Sequence, residues 1–397
     1  MHENLTLLGI ALVVLGYGYF SRRLERLNIS GPMVFTAVGI LLSPLAFGNR
    51  PIHLESGAVR TLAEVALIII LFADAAGISL HRLKQWSRLP LRLLFAALPL
   101  TILITAGAGT YFFPEESVLY LLLLALILAP TDAALGKAVV TDPRIPARIR
   151  DTVNVESGLN DGIVFPLFVT VLGVIAEGGE GQGWFGYVIK QILLGGLWGA
   201  AAGYTGAKLA NLSRKHDWAD GHYFDLIPVA LAIFSYYLAE AFGGNGFIAA
   251  YFAGLFAGNY SQVLKRHIAA FAHSEGELLS MIIFLVFGLV IIPEAVGAWD
   301  YRVLLFSLLS LTLFRMAPAA LSLIGTKTSW QETLFLGWFG PRGVASVLYL
   351  LIAAESLKTL HSHAALFATV ALTVLLSIFA HGLSARPLAD RLGQKPK

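Results

Sequence analysis

The sequence contains no cysteine and few charged residues, and both absences narrow its class. Without cysteine, disulfides, thiol catalysis and Cys-ligated metals are excluded. Charged residues make up 13% of the chain and hydrophobic residues 57%, whereas soluble domains have about 25% and about 45–50%. A water-soluble fold of 397 residues could not bury so much apolar surface, so we expect membrane lipid to surround it. The net charge of +3 offers no basic excess, and no nucleic-acid partner or cofactor is expected.

Long apolar runs dominate the chain, and about thirteen are long enough for transmembrane helices in a bundle. We therefore predict an all-α polytopic membrane protein that forms a single transmembrane domain over residues 1–397. The predicted spans are 4–20, 31–47, 58–77, 91–113, 117–140, 147–176, 184–211, 223–243, 245–259, 273–293, 302–324, 330–354 and 362–385.

Basic residues alternate between the predicted loops. Of the 28 Lys and Arg residues, 21 fall in loops that share one side of the membrane, and five fall on the other. Because Lys and Arg favour the cytoplasmic side, we predict an outside N-terminus and a cytoplasmic C-terminus in the cell (inner) membrane. No basic segment precedes the first apolar run, which indicates a retained helix and not a cleaved signal peptide.

An odd number of spans suggests an inverted repeat, the plan of many secondary transporters. Residues 1–176 would form the first six-helix half, 184–211 a linker helix, 223–385 the second, inverted half, and 386–397 a short cytoplasmic tail. The fifth helix is interrupted at Pro130 and the twelfth at Gly340-Pro341-Arg342-Gly343. Breaks in matching places of two halves predict interrupted helices that cross at the midplane beside a binding site.

Ionisable side chains inside the spans are candidates for function, because burying them in lipid is costly. They are Asp74, Asp132, Glu156, Asp161, Arg315 and Arg342. Four acids against two bases favour a site for a cation or a proton. Ser157 and Asp161 are four residues apart and share a helix face, with Asn160 adjacent. These oxygen ligands suit Na⁺ or Li⁺, and a single carboxylate, Asp161, would bind either the cation or H⁺.

The remaining candidates have open interpretations. Thr131 and Asp132 follow Pro130, where freed carbonyls could bind a cation or the proline could simply kink the helix. Arg315 requires a buried partner, for which Glu156 is the candidate, and Arg342 could neutralise a helix end or pair with an acid. Asp74 could assist the site through water or cap its helix.

Two further patterns remain ambiguous. Gly195, Gly199 and Gly203 could mediate close packing inside the fold or at a dimer face. The histidines, His381 among them, have no metal-site spacing, and we expect most of them to be solvated.

Three motifs, Pro130-Thr131-Asp132, 155–162 (Val-Glu-Ser-Gly-Leu-Asn-Asp-Gly) and Gly340–Gly343, resemble those of monovalent cation:proton antiporters of the NhaP/NHE type. The resemblance covers essentially the whole chain, and the short tail resembles prokaryotic members. It implies a thirteen-helix homodimer in which Asp161 binds Na⁺ or H⁺ alternately, with Ser157 and the Thr131 backbone as further ligands. It also implies that Asp132 and Asp74 act near the ion and that Glu156 and Arg315 form a structural bridge.

Within that resemblance, Asn160 stands where electrogenic relatives have a second Asp, so we expect electroneutral exchange of one Na⁺ for one H⁺. K⁺/H⁺ exchange on the same scaffold remains the main alternative. An intramembrane aspartyl protease using Asp132 and Asp161 is a remote alternative, because its Gly-x-Gly-Asp motif is missing around Asp161. We therefore predict a transporter and not an enzyme.

Overall fold

A computed structural model describes residues 2–43, 45, 57–80, 88–132, 135, 142–176, 184–219, 221–357 and 360–393 of the chain. Within these ranges every regular element is a helix, which confirms the all-α prediction. The main helices are α1 (His2–Arg26), α2 (Gly31–Leu42), α3 (Gly57–Gly77), α4 (Arg88–Phe112), α5 (Val118–Ile127), α6 (Ala147–Ala176), α7 (Trp184–His216), α8 (Ile227–Ala241), α9 (Gly246–Tyr260), α10 (Glu277–Val296), α11 (Tyr301–Ser322), α12a (Trp330–Trp338), α12b (Val344–Ser356) and α13 (Ala364–Gly393).

Five of the described helices are long and apolar enough to cross a membrane: α4, α6, α10, α11 and α13. Shorter apolar helices, among them α2, α5, α8 and α12b, complete the bundle. Short helices are tolerated at membrane depth where their ends are buried in protein, because neighbouring groups can satisfy the free backbone. Each of the thirteen predicted spans overlaps one of these helices, and the twelfth overlaps two.

Several helix boundaries differ from the prediction. An amphipathic helix, Gln262–Phe271, precedes α10 and was not predicted, because its basic residues lowered the apolar signal. Thr312 interrupts α11 with φ −107° and ψ −91°. Helix α13 continues to Gly393 instead of ending at 385, since charged residues are compatible with a helix that emerges into water. The predicted span ends 44, 46–47, 133–134 and 136–140 lie outside the described residues.

Small residues bring α9 into close contact with α7. A side chain at Gly199 or Gly203 would collide with the backbone of Ala249 or Ala253. The glycine series of α7 therefore packs inside the fold, which settles the ambiguity left by the sequence. Without a hydrophobic driving force between helices in lipid, such close backbone approach supplies the packing.

Asp142 stabilises the surface segment before α6 through hydrogen bonds with Arg144. Its carboxylate accepts hydrogen bonds from the backbone N–H and the Nε–H of Arg144, both at 2.9 Å. The Arg144 guanidinium holds the pKa of Asp142 below its usual range. Arg144 also pairs with Asp390 of α13, so the segment before α6 and the end of α13 lie side by side.

Candidate functional site

The two interrupted helices meet at their breaks. After α5 ends at Ile127, the chain continues in non-helical conformation through Asp132, and residues 339–343 separate α12a from α12b. The backbone N–H of Asp132 donates to the carbonyl of Pro341 at 2.8 Å, which joins one break directly to the other. Pro130 lacks an N–H and therefore cannot continue the helical hydrogen bonding.

Each break also carries a charged side chain that caps the other helix. Arg342 donates from Nη1 to the carbonyls of Ala129 (2.6 Å) and Pro130 (3.2 Å), just beyond the C-terminal end of α5. Asp132 accepts the N–H of Val344 on Oδ2 at 2.8 Å, at the N-terminal end of α12b. A cation at a helix C-terminus and an anion at an N-terminus both complement the helix dipole. Of the roles left open for Arg342, the geometry corresponds to neutralising a helix end.

Three polar side chains are linked by hydrogen bonds between the α5 break and α6, with the Thr131 hydroxyl at the centre. Thr131 and Ser157 share a hydrogen bond of 3.0 Å between their hydroxyls. Asn160 donates its amide to the Thr131 hydroxyl at 2.6 Å. All three are buried, and this network fixes hydroxyl oxygens beside Asp161. The spacing on α6 accounts for it, because Ser157, Asn160 and Asp161 lie within four residues of one another on adjacent helix faces.

Asp161 is the buried carboxylate of the site. Its side chain is 5% exposed, and its Oδ1 atom has no hydrogen-bond partner among the described residues. An unpaired buried carboxylate is costly as an anion, so it favours binding a proton or a cation.

A cavity of ≈ 1120 Å³ leads to this carboxylate. Five of the predicted site residues line it: Asp74, Thr131, Asp132, Ser157 and Asp161. Its wall extends along α6 from Asp151, close to the first turn, to Asp161, a distance of about 15 Å at 1.5 Å per residue. The lining contains more carboxylates than basic groups, so the cavity attracts cations.

Asp74 of α3 faces this cavity with an exposed side chain. It lies close to the C-terminal end of α3, where a carboxylate opposes the helix dipole, so the geometry does not support a capping role. Its position suits contact with the site through water.

Aromatic rings pack on α6 beyond Asp161, on the side away from the cavity. Phe168 stacks on Tyr349 of α12b with ring centroids 4.6 Å apart. Phe165 contacts both Tyr349 (5.4 Å) and Phe247 of α9 (5.5 Å). These rings are buried, and none of them lines the cavity. The cavity therefore follows α6 on the N-terminal side of Asp161, and the packed rings lie on its C-terminal side.

A buried ion pair lies behind the site. Arg315 Nη2 donates to Glu156 Oε1 at 2.5 Å, and each residue is 2% exposed. A side chain at Gly340 would collide with the Arg315 guanidinium, so the backbone of the α12 break packs directly against this ion pair. Neither residue lines the cavity, and the pair therefore supports the breaks without facing the ion path.

The sequence of this chain is similar to those of known proteins. A family model described as "Sodium/hydrogen exchanger, transmembrane" matches residues 9–391, nearly the whole chain. The chain belongs to this sodium/hydrogen exchanger family. The exchanger is 25% identical over 96% of its length to a Na(+)/H(+) antiporter of Schizosaccharomyces pombe, of which the match covers 90%. It is 28% identical over 97% of its length to the K(+)/H(+) antiporter NhaP of Alkalimonas amylolytica, of which the match covers 66%.

The fold of the exchanger is similar to a solved structure of the sodium proton antiporter MjNhaP1 from Methanocaldococcus jannaschii. The TM-score is 0.79 at 20% identity, and the alignment covers 100% of both chains. This likeness confirms the predicted fold class, in which two interrupted helices cross inside a helical bundle.

The exchanger also has site residues that the sequence did not reveal. The hydroxyl of Tyr251 on α9 lies against Gly162, next to Asp161, and only a glycine leaves room for it. The expectation that His381 is solvated was wrong: it is 1% exposed inside α13. Its place near a helix end suggested exposure, but α12a packs over it there.

Proposed function

We propose that the protein is a secondary antiporter that exchanges Na⁺ or Li⁺ for H⁺ across the cell membrane. Asp161 binds the cation and the proton in turn. The observation that carries this proposal is the state of its carboxylate, which is buried, lacks a partner for Oδ1 among the described residues, and lies on the cavity wall.

Competition at one carboxylate couples the two fluxes. A carboxylate in this environment is stable when a proton or a cation neutralises it, and a single group cannot hold both. Ser157 and Thr131 supply neutral oxygens for the cation, and Asp132 and Asp74 contribute negative charge along its path. Alternating access requires the cavity to close and the aromatic packing around Tyr349 to open, while the ion is carried on Asp161.

Asn160 supports an exchange of one cation for one proton. It adds no charge to the site, and its amide is occupied by the Thr131 hydroxyl. With Asp161 as the one buried carboxylate that alternates, each cycle moves one positive charge in each direction. We therefore propose electroneutral transport.

The proposal also covers the orientation in the membrane, the two inverted halves and the oligomeric state. The charge bias of the loops supports an outside N-terminus and a cytoplasmic C-terminus. The cavity would then open to the cytoplasm, because its wall reaches Asp151 near the N-terminal end of α6, which follows a predicted cytoplasmic loop. The division into two inverted halves around the linker helix and a homodimeric assembly follow from the family resemblance.

A K⁺/H⁺ exchanger is the second candidate, and a specific observation favours it. The relative from Alkalimonas amylolytica at 28% identity is named a K(+)/H(+) antiporter. Hydroxyl and carboxylate oxygens bind both ions, so the ligand types do not discriminate between them. No observation favours the protease alternative, whose Gly-x-Gly-Asp motif is missing around Asp161.

Vesicles with an acidic interior and a ΔpH-sensitive dye test the proposal. We expect Na⁺ or Li⁺ to dissipate the gradient, and Asp161→Asn to abolish this response. The control is Asp217→Asn, which removes an exposed carboxyl that does not line the cavity and should retain exchange. A response to K⁺ alone would establish the second candidate, and exchange by Asp161→Asn would refute the site assignment.

A further inference from the structure

His381 contacts the break in α12 from the neighbouring helix α13. Its Nε2 atom lies 2.9 Å from the carbonyl of Trp338, the last residue of α12a. Its Nδ1 atom lies 3.0 Å from the backbone carbonyl and 3.1 Å from the hydroxyl of Ser377, one turn earlier on α13. The ring is enclosed by Trp338, whose indole stacks on it with centroids 4.7 Å apart. This imidazole is thus a buried polar group that reaches one end of the break.

Ser377 reaches the other end of the break. Its hydroxyl accepts the backbone N–H of Arg342 at 2.6 Å. A continuous path of hydrogen bonds therefore passes from Arg342 through Ser377 and His381 to Trp338. A neutral imidazole with its proton on Nε2 completes this path, because Ser377 then donates to Nδ1 and Nε2–H donates to the Trp338 carbonyl. We call these two side chains, Ser377 and His381, the strap.

The α12 break needs such an external support. Residues 339–343 are not helical, and two of them are glycines, so their own conformational preferences are weak. Within lipid, backbone groups freed by a break must be satisfied by neighbouring protein groups. The strap satisfies groups on both sides of the break, at Trp338 and at Arg342.

We propose that His381 is a positioning residue for ion exchange. Through Ser377 it fixes the backbone of Arg342, whose guanidinium holds the carbonyls of Ala129 and Pro130. The next residue, Thr131, accepts the Asn160 amide and shares a hydrogen bond with Ser157 in the network beside Asp161. His381 therefore acts on the ion site without touching the ion. The functional part of this inference rests on the proposed exchange activity, whereas the structural part does not.

Three variants distinguish loss of the His381 hydrogen bonds from a general loss of a buried polar side chain on α13. His381→Leu removes both hydrogen-bonding atoms, and His381→Gln retains one donor and one acceptor. The matched control is Thr373→Val, on the same buried face of α13. The Thr373 hydroxyl donates at 2.7 Å to Thr369, within its own helix, and makes no bond to α12 among the described residues.

Hydrogen–deuterium exchange on the full chain in nanodiscs tests the strap independently of transport. We expect faster exchange in peptides that contain residues 339–344 for His381→Leu and Ser377→Ala, and wild-type rates for His381→Gln and Thr373→Val. Unchanged exchange in His381→Leu would overturn the inference, whether or not the protein transports ions.

Transport in vesicles tests the functional part. For His381→Leu we expect the apparent KM for the cation to rise about fivefold, the effect of one lost hydrogen bond, with rescue by His381→Gln. The double variant with Ser377→Ala should be no worse than either single variant, because both cut one path. If wild-type protein exchanges ions and His381→Leu has the same KM and maximal rate, His381 does not position the site. A wild-type protein without exchange would refute the proposed function instead.

Discussion

Replacing Arg315 with methionine should destabilise the exchanger strongly. The substitution removes a guanidinium that is 2% exposed and 2.5 Å from Glu156, while largely preserving side-chain length. Glu156 then remains in the interior without its partner. Breaking a buried ion pair from one side costs about 3–5 kcal/mol, because the remaining charge is uncompensated.

Removing both charges should cost much less. In the double variant Glu156→Gln/Arg315→Met no ion is buried, and substituted pairs of this kind are often close to neutral. We therefore expect the melting temperature of the double variant to lie between those of the wild type and the single variant. The exposed Arg144→Met serves as control and should shift the melting temperature far less.

Intrinsic fluorescence of the purified protein can follow unfolding, since the chain contains seven tryptophans. Scans at one heating rate allow the variants to be ranked. If Arg315→Met melts at the wild-type temperature, or if the double variant melts below Arg315→Met, the buried pair does not have the role that its geometry indicates.

Four further predictions concern the site and the bundle. Asn160→Ala removes the amide bound to Thr131 and should raise the cation KM in vesicle flux about fivefold. In the wild type, a membrane potential imposed with a thiocyanate gradient should leave the exchange rate unchanged. Acceleration of exchange by the potential would contradict electroneutrality. Asp132→Asn keeps an acceptor for Val344 but loses the charge at the α12b N-terminus, so the cation KM should rise by a factor of about 2–5, and an unchanged KM would count against the cap. Gly199→Val should lower the melting temperature because it collides with Ala249, whereas Gly186→Val on the same helix meets nothing within 4 Å and should not.

Much of the fold was predictable because a membrane imposes strong constraints on sequence. Runs such as 147–176 exceed the roughly 20 residues that a membrane-crossing helix needs, and the structure gives α6 those same bounds. The breaks were visible because each combines proline with a charged residue inside an apolar run, Pro130 with Asp132 and Pro341 with Arg342. Boundaries were harder to predict where a helix leaves the lipid, as at the end of α13, because apolar content no longer indicates helix there.

The site was only partly predictable, since its contacts join distant segments. Helical spacing placed Ser157 and Asp161 together, and the cost of an unpaired buried charge predicted a partner for Arg315. No sequence rule placed Arg342 against Ala129, or Val344 against Asp132, because these contacts depend on how two breaks cross. His381 was misjudged for the same reason, since its burial is determined by α12a, which lies about forty residues away along the chain.

The central claim is that one carboxylate, Asp161, binds either the cation or the proton. Calorimetric titration of purified protein with NaCl or LiCl, repeated in buffers of different ionisation enthalpy, measures the protons released per cation bound. We predict that release in the wild type rises toward about one proton per cation as the pH is lowered, as expected for competition at a single group, and that Asp161→Asn binds no cation. Cation binding without proton release at every pH, or proton-coupled binding that survives in Asp161→Asn, would contradict the account.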